Sequence, residues 1–224
     1  MNKTIRLILS IVISFITLGI FVGASELLPE SMKIVLLTDE SLGLIFTTVF
    51  RALLAMVLLI VYRKIYRQDV GIRTENLSKG VFRYGLIVIC AFIFQMAANY
   101  QKPEIGIVSA LPELLLYFVS VMSVGLFEEM LCRGMLFNAF RDRFGDSKKG
   151  IYLSALLSSM LFGLFHLVNL VSYPDLVIAT IAQVIYATFF GFIFCVIYFR
   201  SKNILACIIL HGLFDLRTGF GCIS

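Results

Sequence analysis

The sequence is dominated by apolar segments of about twenty residues, separated by short polar loops. A helix needs about 20 apolar residues to cross a bilayer core that is about 30 Å thick. Because the apolar residues are continuous within each segment and do not alternate with polar ones, they predict membrane-spanning helices and not a β-barrel. The seven predicted spans are Ile5–Gly23, Leu42–Tyr62, Val81–Ala98, Ile107–Leu131, Ile151–Tyr173, Leu176–Phe199 and Ile204–Phe220.

The proportions of apolar and charged residues exclude an ordinary soluble domain. Hydrophobic residues make up 60% of the 224 positions and charged residues only 15%, whereas soluble domains are nearer half apolar and a quarter charged. The longest basic loop, residues 63–80, is too short to hold a separate catalytic domain. We therefore predict an all-α, multi-pass transmembrane bundle that forms one integral membrane domain over residues 1–224.

Lysine and arginine residues are concentrated in alternate loops, which predicts the orientation of the chain. Because these residues are retained on the cytoplasmic side of a membrane, the N-terminus is predicted to be cytoplasmic. The net charge of +5 then reflects topology and not binding to nucleic acid. An alternative for the first segment is a signal peptide that ends near Ala24. The basic residues are Lys3, Arg6, Arg63, Lys64, Arg67, Arg73, Lys79, Arg133, Arg141, Arg143, Lys148, Lys149, Arg200 and Lys202.

Two adjacent glutamates, Glu128 and Glu129, lie at the predicted cytoplasmic end of the fourth span. Glu129 precedes Arg133 by four residues, which is the favourable orientation for an ion pair along a helix. Glu128 lies about 100° further round the helix and is not engaged by this pairing. The spacing predicts that arginine holds one glutamate and leaves the other free, although a charged cap at the membrane surface is an alternative.

Both histidines of the chain fall inside predicted spans, where ionisable groups cost a few kcal/mol and indicate function. His166 follows Phe162 by one turn and precedes Asn169 by one turn. His211 precedes Asp215 by four residues, so the two side chains share a helix face, and a carboxylate there can orient the imidazole. The alternative for each histidine is a structural hydrogen bond within the bundle.

Together these groups predict a hydrolytic site. Helices of a small bundle can bring a glutamate, two histidines and an aspartate together in its core, and such groups can activate water and stabilise an oxyanion. No serine or cysteine is evidently paired with a histidine, which favours water over a covalent nucleophile. Arg51, near the middle of the second span, could pair with Glu113 or extend towards the surface, and no function is predicted for it.

The depths of the two histidines do not match at this stage. At about 1.5 Å per residue, His166 lies about 22 Å from the start of its predicted span at Ile151, whereas His211 lies about 10 Å from Ile204. A common site requires that the two helices are staggered or that one begins outside the bilayer.

The three motifs resemble those of the CAAX-processing and bacteriocin-processing (CPBP) intramembrane proteases, also called the type II CAAX prenyl endopeptidase or ABI family. The resemblance covers residues 125–215 and implies a helical bundle with an active-site cavity that opens towards the cytoplasm. It implies a glutamate base with a nearby histidine, a second histidine with an aspartate that assist, and supporting side chains around them. The catalytic residues implied are Glu128, His166, His211 and Asp215, and the supporting ones Glu129, Arg133, Phe162 and Asn169.

The resemblance also bears on metal and substrate. The family is described as a metal-free glutamate type, and no H-E-x-x-H helix is present, so no cofactor is predicted; the alternative is zinc bound by Glu128, His166 and His211. Family members carry either asparagine or aspartate at the position of Asp215, and an ionised aspartate there can orient His211 but cannot donate to an oxyanion. The predicted substrate is a membrane-associated peptide or protein, cut in the cell membrane.

Two other functions remain open at the level of the sequence. One is a non-catalytic relative that acts in bacteriocin immunity or as a scaffold by binding a partner in the bilayer. The other is a small transporter that uses the histidines as a proton relay, although no inverted repeat or pair of broken helices supports it.

Overall fold

The computed structural model describes residues 2–24, 28–98 and 111–216, and within these ranges the chain forms helices and loops without a β-strand. The predicted all-α class is confirmed. The helices are α1 (Lys3–Gly23), α2 (Glu30–Thr38), α3 (Glu40–Tyr66), α4 (Leu86–Ala98), α5 (Leu111–Glu129), α6 (Asn138–Phe144), α7 (Lys148–Phe165), α8 (Asn169–Ser172), α9 (Val177–Ser201) and α10 (Ile204–Asp215).

Each of the seven predicted apolar spans contains a helix, but the helices differ in length. Five continuous helical stretches are long and apolar enough to cross a membrane, whereas α4 and α10 are shorter apolar helices. Residues 99–110 and 217–224, which include the start of the fourth predicted span and the end of the seventh, lie outside the described residues. The five long stretches are Lys3–Gly23, Glu40–Tyr66, Leu111–Phe144, Lys148–Ser172 and Val177–Ser201.

The predicted end of the fourth span at Leu131 is wrong. The helix continues from α5 through a π-helical segment, Met130–Phe137, into α6 and ends at Phe144. Arg133 does not end the helix because its charge is paired inside the bundle, and every residue of the π-helical segment is buried. Glu128 and Glu129 therefore lie near the middle of a long helix and not at its cytoplasmic end. Such π-helical segments are frequent at functional sites.

Helix α1 is an integral part of the bundle. It buries a row of small polar residues, Ser10, Ser14 and Thr17, which is a common feature of helix contacts in membranes. The hydroxyl groups of Ser10 and Tyr66 are hydrogen-bonded at 2.8 Å. Near the other end of α1, the ring of Phe21 packs 5.2 Å from that of Phe127 on α5.

Helix α10 begins inside the protein, which explains its small length. The Asn203 side chain caps the helix by accepting from the Leu205 amide at 2.9 Å. Its amide group donates to the carbonyl oxygens of Arg73 and Glu75 at 2.6 and 2.8 Å, and Asn203 is fully buried. The loop after α3 therefore covers the start of α10 and holds it in the bundle.

The backbones of α5 and α10 approach closely at two glycines. A Cβ atom added at Gly125 would lie 2.8 Å from the carbonyl oxygen of Ile208 and 3.2 Å from the amide nitrogen of Gly212. Real Cβ atoms essentially never come within 3.0 Å of such an atom. This contact sets His211 of α10 directly beside Glu129 of α5.

Candidate active site

His211 is the centre of a cluster of three carboxylates. Its Nδ1 atom lies 2.7 Å from Glu129 Oε1, and its Nε2 atom lies 3.4 Å from Glu128 Oε2 and 3.6 Å from Asp215 Oδ2. A ring nitrogen that faces an ionised carboxylate must carry the hydrogen, because the carboxylate only accepts. The arrangement is therefore that of an imidazolium with both N–H groups directed at carboxylates. The ring also stacks on Phe194 at 5.3 Å.

Glu129 and Arg133 form the ion pair that the spacing predicts. Arg133 Nη1 lies 2.8 Å from Glu129 Oε1, and both side chains are at most 1% exposed. Arg133 also donates to the Gly191 carbonyl on α9 at 3.1 Å. Its guanidinium lies 4.8 and 5.2 Å from the ring centroids of Phe162 and Phe194. This pair therefore connects the π-helical segment with α7 and α9.

Glu129 has a second contact that the sequence analysis missed. Spacing along single helices assigns Glu129 to Arg133 and His211 to Asp215, and it carries no information on contacts between helices. In the structure one oxygen of Glu129 accepts from both Arg133 and His211. The supporting glutamate therefore orients the second histidine directly.

His166 follows the end of α7 and has a defined hydrogen-bonding pattern. Its Nδ1 atom lies 3.0 Å from the Phe162 carbonyl oxygen. Since a carbonyl only accepts, Nδ1 carries the hydrogen, and Nε2 of the neutral ring is an acceptor. The ring packs edge-to-face on Phe162 at 5.1 Å and is half-buried. His166 can thus accept a hydrogen from water or a substrate.

Asn169, predicted as a supporting residue, contacts a partner that was not predicted. Its side-chain amide donates to Gln183 Oε1 on α9 at 2.8 Å. Gln183 carries no charge and belongs to none of the three motifs, so the sequence contains no signal that identifies it. The pair links the end of α7 to the beginning of α9.

One cavity of about 300 Å³ brings the four predicted catalytic residues together. Glu129 and Arg133 lie behind its wall, fully buried. A neighbouring, more apolar cavity of about 110 Å³ shares Glu128 and His166 with the first. These two side chains therefore stand where the cavities adjoin. The larger cavity is lined by Glu128, His166, His211, Asp215, Phe162, Asn169, Gln183, Arg51, Phe21, Val124, Tyr186, Ala187, Phe190, Phe194 and Phe214.

Arg51 also lines the larger cavity. Its Nη1 atom lies 3.5 Å from the Ser120 hydroxyl oxygen, and its guanidinium lies 5.3 Å from the ring centroid of Phe21. The structure thus directs Arg51 towards the site, in place of the two roles considered from the sequence, a pair with Glu113 or extension towards the surface. Its charge inside an apolar span was a signal of function, but the sequence did not show which residues it faces.

The fit of a metal ion can be judged from the donor atoms. In residues 2–24, 28–98 and 111–216, no group of three or more histidine, cysteine, aspartate and glutamate side chains is arranged to hold one. A metal ligand must offer an unprotonated lone pair, whereas both nitrogens of His211 face carboxylates. The alternative zinc set of Glu128, His166 and His211 does not fit this arrangement.

Comparison with known proteins gave one match. The family model described as "Type II CAAX prenyl endopeptidase Rce1-like" matches residues 109–217, the part of the chain that holds all three motifs. Comparisons with curated proteins and with solved structures gave no significant match.

Proposed function

Since residues 109–217 belong to the Rce1-like family of type II CAAX prenyl endopeptidases, we propose that this protein hydrolyses a peptide bond of a membrane-associated peptide or protein, with water activated by Glu128. The observation that carries the proposal is the cavity shared by Glu128, His166, His211 and Asp215. The substrate reaches these residues in the bundle of a multi-pass protein of the cell membrane, whose basic loops face the cytoplasm.

Glu128 is the general base in this mechanism. Its side chain is 27% exposed and faces the cavity, so it can accept a proton from water. His166 Nε2 accepts a hydrogen bond from the same water and orients it. The water oxygen forms a bond to the carbonyl carbon, and the carbonyl π electrons move to the carbonyl oxygen. The C–N bond then breaks, and the proton on Glu128 passes to the leaving nitrogen.

His211 positions the base. Its Nε2–H group faces Glu128 and Asp215, and its Nδ1–H group donates to Glu129. The buried Glu129–Arg133 pair holds the imidazolium in this orientation. Asp215 shares the Nε2–H group, so its role is to orient His211, as an ionised aspartate at this position can do.

The substitution Glu128→Gln tests the proposal. Removal of a general base costs about 10²–10⁴ in rate, so we expect the purified variant to lose cleavage of a reporter peptide in proteoliposomes by at least about 100-fold. Glu113→Gln makes the same change at an exposed position on the same helix and should retain activity. Full function of Glu128→Gln would contradict the proposal and favour a non-catalytic scaffold or immunity protein.

The proposed reaction uses no metal. The support is that the His211 nitrogens face carboxylates and that His166 keeps only one free acceptor atom. Cleavage of the reporter peptide should therefore persist after treatment with EDTA and 1,10-phenanthroline. Loss of activity that returns when zinc is added would overturn this part of the proposal.

A further inference from the structure

The proposed reaction requires a hydrogen-bond donor for the oxygen that becomes negative. Glu128 and Asp215 are carboxylates and only accept. His211 directs both N–H groups at carboxylates, and His166 presents an acceptor to the cavity. The residues of the three motifs therefore hold and activate water but leave the charge on the carbonyl oxygen without a cationic donor.

Arg51 is the cation that remains. Of the described residues that line the larger cavity, it alone is a lysine or arginine. Glu128 and Asp215 attract its guanidinium electrostatically. A guanidinium carries five N–H donors in a planar fork, and its described hydrogen bond to Ser120, at 3.5 Å, is at the long limit for such a bond. Arg51 thus keeps donor capacity towards the cavity.

The position of Arg51 is also costly without a ligand or a function. It lies within α3, between apolar turns, and it is half-buried. A charged side chain inside a membrane span costs a few kcal/mol or more, and such residues usually mark a functional site. Attraction to Glu128 and Asp215 offsets part of this cost, so charge balance alone is the competing explanation.

On the premise of the proposed peptidase activity, we propose that Arg51 is a further catalytic residue that binds the carbonyl oxygen of the scissile peptide bond. As the water oxygen attacks, the electron pair of the C=O π bond moves to the carbonyl oxygen, and the Arg51 guanidinium donates hydrogen bonds to the resulting oxyanion. When the C–N bond breaks, that pair returns to form the C=O bond of the new carboxyl group. Arg51 exchanges no proton in the cycle.

Arg51→Gln, Arg51→Lys and Arg51→Ala test this role with the same reporter peptide. Loss of an oxyanion donor lowers kcat by about 10²–10³, so we expect that loss in Arg51→Gln with KM within about threefold. Arg51→Lys should recover part of kcat, because it keeps the charge but not the planar fork. Added guanidinium ion should restore activity to Arg51→Ala. Arg63→Gln, on the same helix at an exposed position, should leave kcat unchanged.

The outcomes separate this role from charge balance. A guanidinium that serves only to balance charge predicts a lower unfolding temperature in detergent and no rescue by guanidinium ion. Unchanged kcat in Arg51→Gln, or an effect confined to KM, would also overturn the assignment. If Arg51→Gln does not fold, the kcat of Arg51→Lys and the rescue of Arg51→Ala decide. Loss in Glu128→Gln with normal Arg51 variants would leave the peptidase proposal intact and remove only the role of Arg51.

Discussion

Glu129 compensates two cations with one buried carboxylate oxygen. Its Oε1 atom lies 2.8 Å from Arg133 and 2.7 Å from His211. Removal of one partner from a buried ion pair is costly because a charge remains without compensation. The two members of this pair differ in what each leaves behind, so their substitutions should not have equal effects.

We predict that Glu129→Gln destabilises the protein more than Arg133→Met. Glu129→Gln leaves Arg133 with only the Gly191 carbonyl among the partners that the structure describes, and a broken buried pair costs about 3–5 kcal/mol. Arg133→Met leaves Glu129 still paired with His211 and should cost less. Thermal unfolding in detergent checks the order, and equal or reversed losses would contradict the shared role of Glu129.

At the scale of helices, the sequence predicted contacts within a helix and missed contacts between helices. The Glu129–Arg133 pair follows from a spacing of four residues and is present. The Glu129–His211 contact depends on how α5 packs against α10, which no spacing along the chain describes. The end of the fourth span was misjudged for a related reason, since Arg133 marks a helix end only when its charge is not compensated inside the bundle.

Glycine at position 125 is the local cause of the contact between α5 and α10. We predict that Gly125→Ala forces α10 away from α5, because the added Cβ would lie 2.8 Å from the Ile208 carbonyl oxygen. A shift of about 1 Å in a catalytic group can cost about 100-fold in rate, and we expect kcat to fall by that order as His211 moves. The overpacking should also destabilise the protein by about 1–3 kcal/mol.

Gly19→Ala provides the matched control for this change. Gly19 lies on α1, and a Cβ atom there meets nothing within 4 Å in the described structure. Alanine is favoured over glycine in a helix by about 1 kcal/mol, so Gly19→Ala should keep its activity and its unfolding temperature. Equal activity of Gly125→Ala and Gly19→Ala would show that the close packing of α5 and α10 does not position His211.

For the whole molecule, the depth of the cavity follows from where its residues lie on their helices. Phe21, Arg51, Glu128, His166 and Gln183 each lie roughly 15 to 18 residues, or about 22–27 Å, from the end of their helical stretch that carries the basic loops. His211 reaches the same site from only seven residues inside α10 because that helix begins within the protein. The mismatch in histidine depth therefore reflects where α10 starts.

The same positions bear on how the cavity is reached. Between the site and the basic loops lies the segment Met130–Phe137, whose side chains are all buried, so the bundle is closed on that side. Asn169 and Gln183, at the other end of the cavity, are only half-buried. This arrangement favours access from the membrane face opposite the basic loops, and not from the cytoplasm as the family resemblance implies.

Cysteine labelling tests this direction of access. In a background without the exposed Cys90 and without Cys222, we expect Gln183→Cys to react in intact cells with a membrane-impermeant maleimide. Lys149→Cys, exposed in the loop before α7 that carries the basic residues, should react only after the membrane is permeabilised. Labelling of both positions only after permeabilisation would mean that the cavity opens to the cytoplasm. Labelling of Gln183→Cys alone in intact cells would mean that substrates approach Glu128 from the opposite face, because water and reagent reach the site by the same route.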